Sequence, residues 1–319
     1  MPAGVNLAWR DDDLEQAAAA LVGGEVRPAY ELLRSTHDPD RRDLRADVLG
    51  DVGKELHETI SAFADERERD SSAQLLKGSA LRSAAWAVRR RAVAKRASDE
   101  DRGRLFFLAA CAMDALATAG RLAPDDGVPW SQHISAIHVV AREVSNVDDF
   151  HRRMAERSPD LYAGTVSWLS AQSGRWHGST DRLVAFARER TSALPDGHPL
   201  LALIPHGRLE GWLDTMLKAN IVVRIRDFYR NGYFKRPAVK SEVDTASDRI
   251  LSGDGAFREH PWAMTAHQTF AAYYAHASDS VRLRSHLELS GPRAALQPWS
   301  FFGDPTKEFA EARRAAGLQ

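Results

Sequence analysis

The sequence predicts an all-α protein in which helical hairpins stack on one another. Apolar residues recur at helical spacing along most of the chain, and prolines divide its middle at regular intervals. No convincing run of alternating apolar and polar residues, the pattern of a half-buried strand, accompanies them. The one candidate strand is NIVVRIRDFY (220–229), which has no second strand to pair with, so we interpret it as helix or irregular structure.

The N-terminal part predicts a helical hairpin followed by one long helix. The stretch DDDLEQAAAALVGGEVRPAYELLRST reads as two helices joined by a turn at Gly23 and Gly24. After the charged stretch DERERDSS, residues 72–95 read as a single helix.

The middle of the chain carries the clearest amphipathic stripes. The residues of each stripe recur three, four or seven positions apart, which places them on one helix face that we expect to pack against another helix. The stripes comprise Phe106, Ala109, Ala110, Met113 and Ala117, then Trp130, Ile134 and Ile137, and then Leu183, Phe186 and Ala187.

Prolines punctuate this middle part with a nearly constant period. Pro124, Pro159 and Pro195 are 35 and 36 residues apart, and each is followed by Asp. A period of about 34 residues is that of the tetratricopeptide repeat, a helix–turn–helix unit. The segment Ala112–Pro124 fits the second-helix pattern of that repeat, whereas the other two units lack its small residues. The sequence therefore predicts a degenerate tetratricopeptide-like α-solenoid or a closed helical array, as a single domain over 1–319 that is most repeat-like over 105–212.

The C-terminal helical segment, 258–319, predicts a further hairpin and a terminal helix. We expect one helix from Pro261, a break at Ser278 and Asp279, and a second helix closed by Gly291. In the tail we expect a last helix capped by Asp304, with Pro305 as its first residue and with Phe309 and Ala312 facing inward.

Composition excludes several classes of protein. The net charge of -1 gives no global field for nucleic acid or anionic membranes, and a single cysteine excludes an internal disulfide framework. The N-terminus lacks a signal-peptide pattern and no apolar run approaches ~20 residues, so we expect no membrane span and a cytoplasmic location. Arg82, Arg89 and Arg90 lie around a helix rather than along one face, and acids follow, so we expect no nucleic-acid partner.

The turn at Arg175-Trp176-His177-Gly178 is the first candidate site. Trp and Arg are enriched at binding hot spots, and His exchanges protons near neutral pH. The structural alternative, which we favour, is that Trp176 fills apolar space between two helices and Gly178 supplies a backbone angle that other residues resist.

A second set of candidates lies in the C-terminal segment. His267, Tyr274 and Trp299 are polar-tipped or titratable residues that would join Trp176 and His177 in a pocket if the two ends of the chain folded together. No HxxxH or HExxH pair, Rossmann pattern, phosphate loop or nucleophile elbow occurs, so we expect no metal site and no cofactor.

Two stretches resemble a known family. RWHGSTDRLVAFARERTSALPDGHPLLALIPHGRLEGW and LELSGPRAALQPWSFFGDPTKEFAEARRAAG are similar to uncharacterised actinobacterial proteins of tetratricopeptide-like architecture. Those proteins share a Trp-(His or Gly)-Gly-Ser turn before a helix ending in Phe-Ala-Arg, and an Asp-Pro helix start after a Pro-Trp. The resemblance covers Pro124–Trp212 and Ala266–Gly317. It implies an α-helical repeat fold and transfers no catalytic residue.

These observations favour a non-enzymatic cytoplasmic adaptor or scaffold that holds a protein or peptide on the concave face of a helical repeat. The alternative is an enzyme, or an accessory protein of a specialised metabolic pathway, with a helix-lined pocket for a small molecule.

Overall fold

The computed structural model describes residues 10–94, 98–140, 147–176, 178–219 and 232–318. Regular structure within these ranges is helical and contains no strand, which confirms the predicted all-α class. The chain groups into two compact units, an N-terminal unit of Asp11–Trp168 and a C-terminal unit that consists mainly of Leu169–Gln319. Because an extended helical array divides in the same way, the single domain over 1–319 stays a prediction.

Helices with short connections build the N-terminal unit. The division between the units falls inside its last helix, between Trp168 and Leu169. The helices are α1 (Asp12–Val22), α2 (Val26–Ser35), α3 (Pro39–Val52), α4 (His57–Asp65), α5 (Ser71–Ala94), α6 (Asp99–Leu122), α7 (Val128–Val140), α8 (Val147–Arg157) and α9 (Tyr162–Ala171).

Close packing of long helices forms the core of this unit. Leu81, Ala84 and Val88 of α5 pack against Leu108 and Ala112 of α6. Glycines allow the approach: a Cβ on Gly78 would lie 2.5 Å from Leu116, and a Cβ on Gly50 would lie 2.6 Å from the backbone oxygen of Ser79. Successive helices from α5 to α8 therefore pack as neighbours.

The helix α6 buries a different face from the one the sequence predicts. Its buried residues are Leu108, Ala109, Ala112, Ala115, Leu116, Ala119 and Gly120. Of the predicted stripe only Ala109 is buried, while Phe106 is 41% exposed and Ala110 is exposed. The prediction was wrong because α6 is apolar on both faces, so periodicity alone does not identify the inward one. By length and composition α6 is long and apolar enough to cross a membrane, as core helices also can be, and 39% of its apolar window is buried inside the protein.

The C-terminal unit is organised around one central helix, which spans Ala263–Ala277. The helices are α10 (Thr180–Ser192), α11 (Leu203–Lys218), α12 (Pro237–Ser252), α13 (Ala263–Ala277), α14 (Ser280–Leu289) and α15 (Pro305–Ala315). Phe270, Tyr273 and Tyr274 of α13 are fully buried although they point in different directions. This helix is packed on several sides, so residues are buried all around it. The two buried hydroxyl groups form hydrogen bonds: Tyr273 donates to the Phe234 carbonyl, and Tyr274 donates to Asp244.

Most of the predicted helix ends are confirmed. Asp304 caps α15 with Pro305 as its first residue, and Phe309 and Ala312 are buried. Gly24 has a φ of 91°, as the turn between α1 and α2 requires. The helix expected from Pro261 begins at Ala263 instead and ends at Ser278, which has left-handed dihedral angles. The candidate strand 220–229 lies outside the described residues.

Candidate functional site

The turn between α9 and α10 packs tightly because residue 178 has no side chain. A Cβ at Gly178 would lie 1.8 Å from the Gln172 carbonyl oxygen, so this close approach requires glycine there. The Gly178 amide donates to the Ser173 carbonyl, and Ser179 then caps α10 by accepting from the Arg182 amide. The predicted turn is confirmed, and the backbone angle predicted for Gly178 stays a prediction.

Arg175 of this turn reaches a buried polar row on α11. His206, Glu210 and Asp214 follow one another at four-residue spacing and are 3%, 2% and 5% exposed. The Arg175 guanidinium forms an ion pair with Glu210. Trp176 is half-buried, and His177 lies outside the described residues. The turn is therefore joined to α11 by a charged contact whose carboxylate is buried.

Ser170, His206 and Glu210 have the residue types of a hydrolase triad without its geometry. A triad places the serine at one imidazole nitrogen and the carboxylate at the other. Here Ser170 Oγ lies 3.4 Å and Glu210 Oε1 lies 3.8 Å from the same nitrogen, Nε2 of His206. Ser170 also donates directly to Glu210 Oε1 at 3.0 Å. This arrangement pairs the buried Glu210 carboxylate and does not activate a nucleophile.

Two buried oxygens near this turn have no hydrogen-bond partner among the described residues. Asp214 Oδ2 accepts from Lys218 Nζ at 2.9 Å, whereas Asp214 Oδ1 and Ser173 Oγ are unpaired. A Cβ on Gly174 would lie 2.7 Å from Asp214 Oδ2, so the turn packs directly on this carboxylate. Because unpaired buried oxygens are costly, they mark a place where a small hydrogen-bond donor would bind favourably.

A second polar set joins α12, α13 and α14 through His286. Ser247 Oγ lies 2.9 Å from His286 Nε2, and His286 Nδ1 lies 3.0 Å from His267 Nδ1. Arg282 donates to Ser247 Oγ at 3.1 Å. Only one proton fits between the two Nδ1 atoms, so at least one imidazole is neutral.

Aromatic rings enclose the His286 imidazole. Phe270 stacks on it at 4.6 Å between centroids, and Tyr274 lies parallel on it at 5.8 Å. Ser247 and His286 are both 0% exposed. The set thus has the hydrogen-bond order of a serine–histidine relay, but the hydroxyl is sealed from any substrate.

Burial lowers the pKa of the histidines in these sets. Removal from water lowers the pKa of His206 and of His267 to about 4, and that of His286 well below its usual value. The Arg175 charge lowers the pKa of His206 further. All three are therefore neutral at pH 7.

Trp299, another predicted site residue, is held by Gln268 of α13. The Trp299 indole donates to Gln268 Oε1 at 2.8 Å, and the Ala295 amide donates to the same oxygen at 2.8 Å. Gln268 Nε2 donates to the carbonyls of Ser290 and Arg293. Trp299 is 1% exposed, so its indole N–H forms this hydrogen bond inside the protein.

The N-terminal unit contains one buried acid with a strongly perturbed pKa. Asp43 of α3 accepts hydrogen bonds from Ser131 and Gln132 of α7 and is fully buried. Burial raises the pKa of Asp43 to about 7. Of the basic residues weighed for nucleic acid, Arg82 donates to Asp47, and Arg89 donates to the His138 carbonyl.

Among the described residues, no group of three or more His, Cys, Asp and Glu side chains is arranged to hold a metal ion. Compared with known proteins, the chain matches no family model, no curated protein sequence and no solved structure.

The structure joins His267 and Tyr274, two of the predicted site residues, through a residue that sequence reasoning missed. Both contact His286. The row on α11 was missed as well, although the sequence contains its signal: His206, Glu210 and Asp214 recur every four residues. Arg175, Trp176, His177, His267, Tyr274 and Trp299 stay predictions as binding residues.

Proposed function

We propose that this chain is a non-enzymatic adaptor or scaffold that binds a protein or peptide through its helical surface. The observation that carries the proposal is a pair of exposed phenylalanines, Phe106 and Phe107, on the outward face of α6. The tetratricopeptide-like arrangement, its concave binding face and the cytoplasmic location predicted from the sequence belong to the same proposal.

Exposed apolar side chains on this face would contribute favourable free energy if another protein covered them. Phe107 is 66% exposed, Phe106 is 41% exposed, and Ala110 lies between them and the half-buried Met113. Covering one phenylalanine is worth about 1.5–3 kcal/mol, and adjacent exposed aromatic residues are typical of protein interfaces.

The polar sets support a role without catalysis. The Ser170–His206–Glu210 set places both partners on one imidazole nitrogen, and the Ser247–His286 pair is sealed from solvent. Their hydrogen bonds pair buried groups inside the C-terminal unit, as buried polar networks do when they fix the packing of helices.

Site-specific photocrosslinking tests the proposal. A photoreactive phenylalanine analogue at position 107, in the chain expressed in its native host, is expected to form a protein adduct. The matched control places the analogue at Val281, which is 76% exposed and lies on α14. Absence of an adduct at 107, or equal adducts at both positions, would overturn the proposal.

The alternative function, an enzyme or accessory protein with a helix-lined small-molecule pocket, is favoured by one observation. Asp214 Oδ1 and Ser173 Oγ are buried and unpaired among the described residues. Thermal-shift screening with small amines and polyols tests it. A stabilisation that disappears in Asp214→Asn would support this function, and the absence of any stabilising compound would count against it.

A further inference from the structure

We draw no further inference here: the strongest candidate, the pair of buried oxygens Asp214 Oδ1 and Ser173 Oγ beside the turn between α9 and α10, which are unpaired among the described residues, belongs to the site already described and already supports the alternative function.

Discussion

Mild acid should unfold the C-terminal unit and spare the N-terminal unit. Removal from water lowers the pKa of four histidines in the C-terminal unit: the buried His206 and the half-buried His267 and His276 to about 4, and the buried His286 well below its usual value. An unfolded chain takes up protons at these positions as the pH falls below about 6.5, and the folded chain does not. Their contribution to stability is therefore present at pH 7 and is lost as the pH falls towards 4.

The size of this loss follows from proton linkage. Between pH 7 and pH 5 each buried histidine removes about 1–2 kcal/mol, so four remove about 4–8 kcal/mol, which is comparable to the whole stability of a domain. In the N-terminal unit two opposite effects compensate. Burial lowers the pKa of His133 to about 4, which costs stability in acid, whereas the raised pKa of Asp43, about 7, adds a similar amount as the pH falls.

Hydrogen exchange of the intact protein measures both units at once. At pH 5, after correction for intrinsic exchange rates, protection is expected to fall in α11, α13 and α14 and to persist in α3, α5 and α7. His276→Phe, which keeps a ring beside Phe302, should recover about one quarter of the loss, and exposed His37→Asn should recover none. Equal protection of the C-terminal unit at pH 7 and pH 5 would refute the neutrality of its buried histidines.

Four other substitutions have definite expectations, each measured by urea unfolding. Asp43→Asn should abolish the gain in acid, so that the N-terminal unit also becomes less stable from pH 7 to pH 5; an unchanged pH profile would contradict the raised pKa. Gly50→Ala should cost about 1–3 kcal/mol by overpacking against Ser79, whereas Gly103→Ala, which meets open space, should stabilise by about 0.5–1 kcal/mol; equal effects would refute the close approach. Glu210→Gln should cost about 1.5–3 kcal/mol because it removes the negative charge that Arg175 pairs with, and an unchanged stability would refute a contribution of this ion pair.

The elements that the sequence predicted well are those with a local physical signal. Asp304 with Pro305 and the Gly23–Gly24 turn each satisfy backbone groups within four residues, so neighbouring sequence contains the whole cause. The helices between them follow from apolar periodicity, and the all-α class follows from the helices.

The features that the sequence did not predict depend on distant partners. On α6, Leu108, Ala112 and Leu116 form a stripe as regular as the predicted one, and only the position of α5 and α7 decides which is buried. The Ser247–His286 contact joins positions 39 residues apart. The spacing of residues in the sequence shows which of them share a helix face. It does not show which other helix packs against that face.

Gln268 uses every hydrogen bond that its amide can form with the stretch from Ser290 to Trp299. Its oxygen accepts twice and its nitrogen donates twice, so no other natural side chain of its size reproduces the set. Glutamate would place its negative charge against two carbonyl oxygens. Methionine would leave two carbonyl groups and two N–H groups without a hydrogen-bond partner. Substitutions at position 268 should therefore be accepted far less often than substitutions at neighbouring positions of the helix, even though this side chain is fully buried.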